Sequence, residues 1–323
     1  MKRRSFWTCA SLVVALLAGE RVAHAQACCA SPSGFAPARL RAGEHALVGF
    51  VASVGFVSGS FGRDRSFATP SSGTREVDLG QRLFVAWAPW ERAELSVTMP
   101  FVETYRAAGA ESNLGGGLGD ARFASRWKLV ATGADRIVPG VQVLSAITLP
   151  TGTPGDAATR PLATDASGTG AFQLDYGLAL EQAYGRVLVN LTGTIGWRGA
   201  RDVRGTSTQL GLLFSGFAAI SYSFSNQVSL AASASYEASL AARSGGVDVP
   251  DSETAKTTLG VSGALPIARG VRATVGVAWN PHVGGLGKNE LAAFTATAGL
   301  IYAWGAPSSC PMHPTTPDCG CPH

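Results

Sequence analysis

Six side chains near the C-terminus have the types to hold a soft metal. Cys310, Met312, His313, Cys319, Cys321 and His323 lie among four prolines in SSCPMHPTTPDCGCPH, and Cys28 and Cys29 stand close to the other end. Thiolate, thioether and imidazole together suit Cu(I) or Zn(II). The competing chemistry is oxidation. Outside the cytoplasm these cysteines could close two bridges and leave one thiol, stapling tail to N-terminus. Adjacent Cys28 and Cys29 do not bridge each other without strain.

A second set is charged. Asp78, Arg82, Glu94, Arg122, Arg126, Lys128, Asp175, Glu181, Glu237 and Arg272, with Asn190, recur at one parity of alternating segments. Side chains of one parity share one face of a strand. If that face lines a channel, opposed charges on neighbouring strands form a polar constriction that filters solutes. The alternative is a salt-bridge network that fills a narrow barrel.

The start of the chain says where either chemistry takes place. MKRRSFWTCASLVVALLAGERVAHAQ has a basic n-region at Lys2, Arg3 and Arg4, an apolar core from Cys9 to Ala18, and Ala23-His24-Ala25 for cleavage. Residues 1–25 read as a secretory signal peptide, too short to span a bilayer. A residue like leucine three before Cys28 would mark a lipoprotein, and Ala25 stands there. The chain thus enters a bacterial envelope. A net charge of +4 points to no nucleic-acid partner.

The chain as a whole is apolar for an exported protein, with 46% hydrophobic residues and mean hydropathy +0.16. Yet no mature segment approaches the run of about 18 apolar residues that a membrane helix needs. The 40 glycines are too many for a helical protein. A soluble β-rich domain and a closed membrane barrel remain.

Alternation separates them. In RVLVNLTGTIGW, Val187, Val189, Leu191, Ile195 and Trp197 alternate with Asn190, Thr192, Thr194 and Gly196. VSLAASASYEASL and GVRATVGVAW behave the same way. Such runs exceed the usual globular strand of about five or six residues and match the roughly nine to eleven of a tilted membrane strand. The second face is Ser, Thr, Gly and Ala with isolated charges, which fits a crowded wet lumen.

Short turns fall near 88–92, 133–136, 184–186, 225–227 and 268–270. Long links run near 58–73, 106–117, 152–168, 199–205, 242–252 and 284–287. The expected fold is all-β: a transmembrane, antiparallel, up-and-down β-barrel of about 12 strands over 44–304, with 10 or 14 as alternatives. Both termini then lie in the periplasm, with a Cys-containing segment at 26–43 and a Cys/His-rich tail at 305–323. Trp87, Trp90, Trp127, Trp197, Trp279, Tyr302 and Trp304 fall at strand ends, as an aromatic girdle in the lipid interface requires. LAAFTATAGLIYAW resembles the terminal strand of outer-membrane barrels, which implies that the assembly machinery reads the strand ending at Trp304.

Three further stretches carry a family resemblance. MPFVETY (99–105), GGGLGDARFASRWKL (115–129) and AITLPTGTPGD (146–156) resemble the signatures of the outer-membrane proteins linked to the meta-pathway of phenol degradation. The resemblance implies a channel or transporter for small hydrophobic or aromatic solutes, and no catalytic residues. Physically, Gly115 to Gly119 lets the chain turn from a loop into a strand that Asp120 caps. Pro150 stops a strand where a lost N–H matters least. GGGLGD lacks the Lys-Ser/Thr of a phosphate loop.

CPMHP resembles the core of a small heavy-metal-binding module, so Cu or Zn at the termini is the one cofactor expectation. An envelope metal-handling protein whose barrel anchors the tail is therefore one alternative function, and a structural barrel docking a periplasmic partner is another. A barrel lipase would need a His–Ser pair at the outer rim. His282 lies there with lumen parity, but no serine or acid stands at useful spacing in the sequence, so no enzyme is expected.

Overall fold

The computed structural model describes residues 39–41, 43–132, 137–224 and 228–305. The signal peptide, every cysteine, Met312, His313, His323 and the predicted turns at 133–136 and 225–227 lie outside them.

Twelve long strands follow one another round a closed wall. They are β1 (Ala46–Phe61), β2 (Thr74–Trp90), β3 (Ala93–Ala108), β4 (Ala121–Val130), β5 (Gly140–Leu149) and β6 (Gln173–Tyr184). The second half comprises β7 (Val187–Arg198), β8 (Leu213–Ser223), β9 (Ser229–Ser239), β10 (Thr254–Ala268), β11 (Val271–Trp279) and β12 (Glu290–Trp304). Each pairs antiparallel with the next, and β12 returns to β1 with Ala46 opposite Trp304. Every strand therefore has two partners, so no edge is left in contact with lipid.

Alternation decides which face goes where. Leu191, Ile195, Leu230, Val261, Val275 and Leu300 point outward and are exposed. Between them Asn190, Thr194, Ser229 and Arg272 are buried on the lumen side. An exposed apolar surface this continuous is a lipid-facing belt. Trp87, Trp90, Trp127, Tyr302 and Trp304 crowd one rim of the belt, and Trp197 and Trp279 stand at the other. Edge contacts of Tyr302 with Trp304 (4.6 Å) and a tilted Trp90–Trp127 pair (6.5 Å) make the first rim the denser.

The links differ on the two rims. On the Trp304 side they are tight, as at Glu91–Arg92, Gly185–Arg186 and Arg269–Gly270. On the other side they carry structure of their own. The expected 106–117 link is not a loop: β3 runs on to Ala108 and returns as a strand over Glu111–Leu118. Gly115 lies inside that strand and starts no turn. Asp120 does not cap its own turn either. Its carboxylate accepts hydrogen bonds from the amides of Gly152 (3.0 Å) and Thr169 (2.7 Å), closing the base of the β5–β6 loop.

That loop folds over the inner face of the extended hairpin. The Arg106 guanidinium donates to the carbonyls of Leu162 (2.9 Å) and Ala163 (3.0 Å), and Thr164 is fully buried against Asn113. Glycine is required at position 115 by contact: a Cβ there would stand 2.5–2.8 Å from Thr164. Short strands at Ala200–Val203, Thr206–Gln209, Arg243–Ser244 and Val247–Asp248 form a separate four-stranded sheet above the wall. Arg201 ties it to the β5–β6 loop through Asp156, at 2.5 Å. That bond holds the Asp156 carboxyl below its ordinary value of 3.8.

Candidate functional site: the barrel lumen

Strand register sets the lumen. Glu94, Arg126, Leu144, Gly177, Thr194, Ser215, Glu237 and Lys256 are successive cross-strand partners from β3 to β10. All face inward. Because barrel strands tilt, such a row climbs the wall as a spiral from one mouth toward the other. A chamber opens on it, lined by Glu94, Ser96, Arg122, Arg126, Asp175 and Thr194 among others.

Two groups of charges form. Around Glu181 the network is dense. Its carboxylate accepts from Gln142 Nε2 (2.7 Å), Asn190 Nδ2 (2.9 Å), Thr132 Oγ1 (3.0 Å) and Arg39 (2.5 and 2.6 Å), with Arg126 at 3.5 Å. Arg126 also donates to Gln142 Oε1 at 2.9 Å. Nearer the mouth opposite Trp304, Arg122 pairs with Asp175 (2.8 Å), which Gln173 also contacts (2.7 Å).

The remaining predicted lumen residues are dispersed. Asp78 accepts from Thr104 (2.9 Å), Lys128 donates to the Glu91 carbonyl (3.3 Å), and Arg82 faces inward opposite Val51 and Pro100. Glu237 sits opposite Ser215 and Lys256. Arg272 is paired, but with a residue that the alternation does not reveal.

That residue is Glu44. Residues 39–41 and 43–45 enter the Trp304-side mouth ahead of β1 as a strap. Glu44 forms a buried ion pair with Arg272 and also accepts from the Arg41 amide (2.9 Å). Leu40 packs in an apolar cluster with Leu47, Phe84, Ala86, Ile301 and Ala303. Arg39 reaches Glu181 on β6, five strands round the wall from β1. The strap therefore crosses the lumen and is held at three points. No strand pattern covers residues 39–44, so no parity marks them. Gln142, Thr194 and Ser215 had the signal of inward parity but carry no charge to draw notice.

The mouth opposite Trp304 is narrowed as well. The β5–β6 loop covers one side. On another, Phe67 packs over Gly59, edge-on to Phe61, with the His282 ring stacked on it at 4.3 Å. His282 also has a serine partner that sequence spacing does not show: its Nε2 lies 2.7 Å from Ser58 Oγ. A β-bulge between Val57 and Gly59 brings them together. The Ser58 hydroxyl also lies within hydrogen-bond distance of the Ala292 carbonyl (3.1 Å), so the pair ties the His282 loop to the ends of β1 and β12.

No family model and no curated protein matches the chain. Solved structures do. An outer membrane channel from Pseudomonas putida F1 superposes with a TM-score of 0.65 at 13% identity, over 85% of this chain and 99% of that one. The fold is shared. The NanC porin (TM-score 0.45, 9% identity, 78% of this chain, 98% of that chain) is more distant. So is the translocator domain of autotransporter NalP from Neisseria meningitidis (0.43, 12%, 80% and 88%). At these identities the likeness is one of architecture.

Proposed function

We propose that this protein is an outer-membrane channel for small solutes, closed at its periplasmic mouth by its own N-terminal strap. The observation that carries the reading is the inward polar row from Glu94 to Lys256. It is a continuous path of charges and hydroxyls inside a wall whose outside is apolar. The crowded aromatic rim with tight turns is the periplasmic one, so both ends of the barrel lie there. Polar lining favours small polar solutes. The aromatic class implied by the three motifs would meet Ala124, Leu144, Ala146 and Tyr176 in the chamber. Ser58–His282 reads as a rim clamp, and transport is the function proposed for the barrel.

Passage requires the strap to leave. Its three anchors make the closed state dominant, so conduction through the native chain is slow or intermittent. Single-channel recording of the reconstituted full chain tests this. The wild type should show small, rare openings, and Arg39→Ala with Glu44→Ala should open several-fold larger ones. A silent bilayer with both proteins, each folded, would sink the channel reading.

A further inference from the structure

Glu237 stands apart from the other lumenal carboxylates. It forms no ion pair and no hydrogen bond with any described residue, although it faces Lys256 in register. Lys256 instead approaches Glu290, at 4.0 Å. Across the row, Thr194 Oγ1 and Ser215 Oγ are buried and have no hydrogen-bond partner among the described residues. Thr194 is 8% exposed. These three groups, with Thr192, Ser235 and Phe217, line a small cavity. Thr194 also lines the larger chamber, so the two spaces adjoin.

Buried hydroxyls and a half-buried carboxylate without direct hydrogen-bond partners among the described residues are each unfavourable. One ligand type relieves all of them. A primary ammonium brings a positive charge and three N–H donors, one each for Glu237, Thr194 and Ser215. The Phe217 face adds cation–π attraction. A neutral polyol supplies donors without the charge, and a carboxylate solute meets repulsion.

We infer that the cavity between β7, β8 and β9 is a binding subsite for short-chain primary ammonium solutes, with Glu237 as counter-ion and Thr194 and Ser215 as acceptors. The inference rests on the lumen being a solute path and names the solute class.

Titration calorimetry on the full chain in detergent tests it, with ethanolammonium, ethylene glycol and glycolate as probes. Ethanolammonium alone should bind, at least tenfold more weakly to Glu237→Gln, and several-fold more weakly to Thr194→Val and Ser215→Ala. Heat-modifiable gel migration shows that each variant is still a folded barrel. Equal ethanolammonium binding by Glu237→Gln, no binding by the folded wild type, or equal binding of glycolate or ethylene glycol would overturn the subsite. A silent bilayer beside Glu237-dependent ammonium binding would overturn the channel reading alone. Open channels with no such binding would overturn only the subsite.

Discussion

The two ends of the lumenal row are built on opposite rules. At the Glu181 end every strong acceptor is used, and a side chain from the strap completes the set. At the Glu237 end two hydroxyls and a carboxylate face a cavity with no partner among the described residues. A satisfied buried network rigidifies the wall around it, whereas unsatisfied polar groups lower stability and persist where another task requires them. On the proposed reading, lumenal charge serves two ends in this barrel: a lock near the Trp304-side mouth and a recognition surface nearer the other.

The largest test of that contrast is Glu181→Ala. It strands Arg39 and Arg126 in a buried site, so unfolding in detergent should show a loss of about 3–5 kcal/mol. A loss under about 1 kcal/mol would mean that the lock is decorative. Gly115→Ala comes next: its methyl drives into Thr164, and overpacking costs about 1–3 kcal/mol. The strain should lift the β5–β6 loop, seen as faster tryptic cleavage at Arg160 and a higher conductance. Glu237→Gln should leave stability unchanged or raise it by at most about 1 kcal/mol, since no partner is lost. Marked destabilisation there would make both ends structural.

The smallest effect is expected in acid. Asp156 is held below 3.8 by its hydrogen bond from Arg201, and Asp165 by the Thr159 and Arg160 amides and the Thr159 hydroxyl. Lowered carboxylate values stabilise the loop fully above 3.8, and the contribution disappears as pH falls through the depressed values. Amide protection factors in residues 153–169, corrected for the intrinsic pH dependence of exchange, should be level through neutral pH and fall only below about pH 3.8.

The alternation in RVLVNLTGTIGW, VSLAASASYEASL and GVRATVGVAW was enough to read a closed antiparallel wall, because a side-chain period of two ties hydropathy directly to the inward or outward face. The even number of strands and the tryptophans at strand ends come from the same local rule. Gly115 and Asp120 were misread because their work is against residues 150–169, distant in sequence and adjacent only after the hairpin extends. Ser58 and His282 were kept apart for the same reason.

Local sequence thus determined which residues face lipid and which face the lumen, since that depends only on parity and on where turns interrupt it. It could not determine which inward charges meet. Partnership depends on the register of neighbouring strands and on the path of a strap that has no period at all. Arg39 finds Glu181, Glu44 finds Arg272, and Glu237 finds neither an ion pair nor a hydrogen bond among the described residues, because closure of the barrel sets those distances. Parity is a property of the chain, but a lock or a binding cavity exists only once the wall has closed.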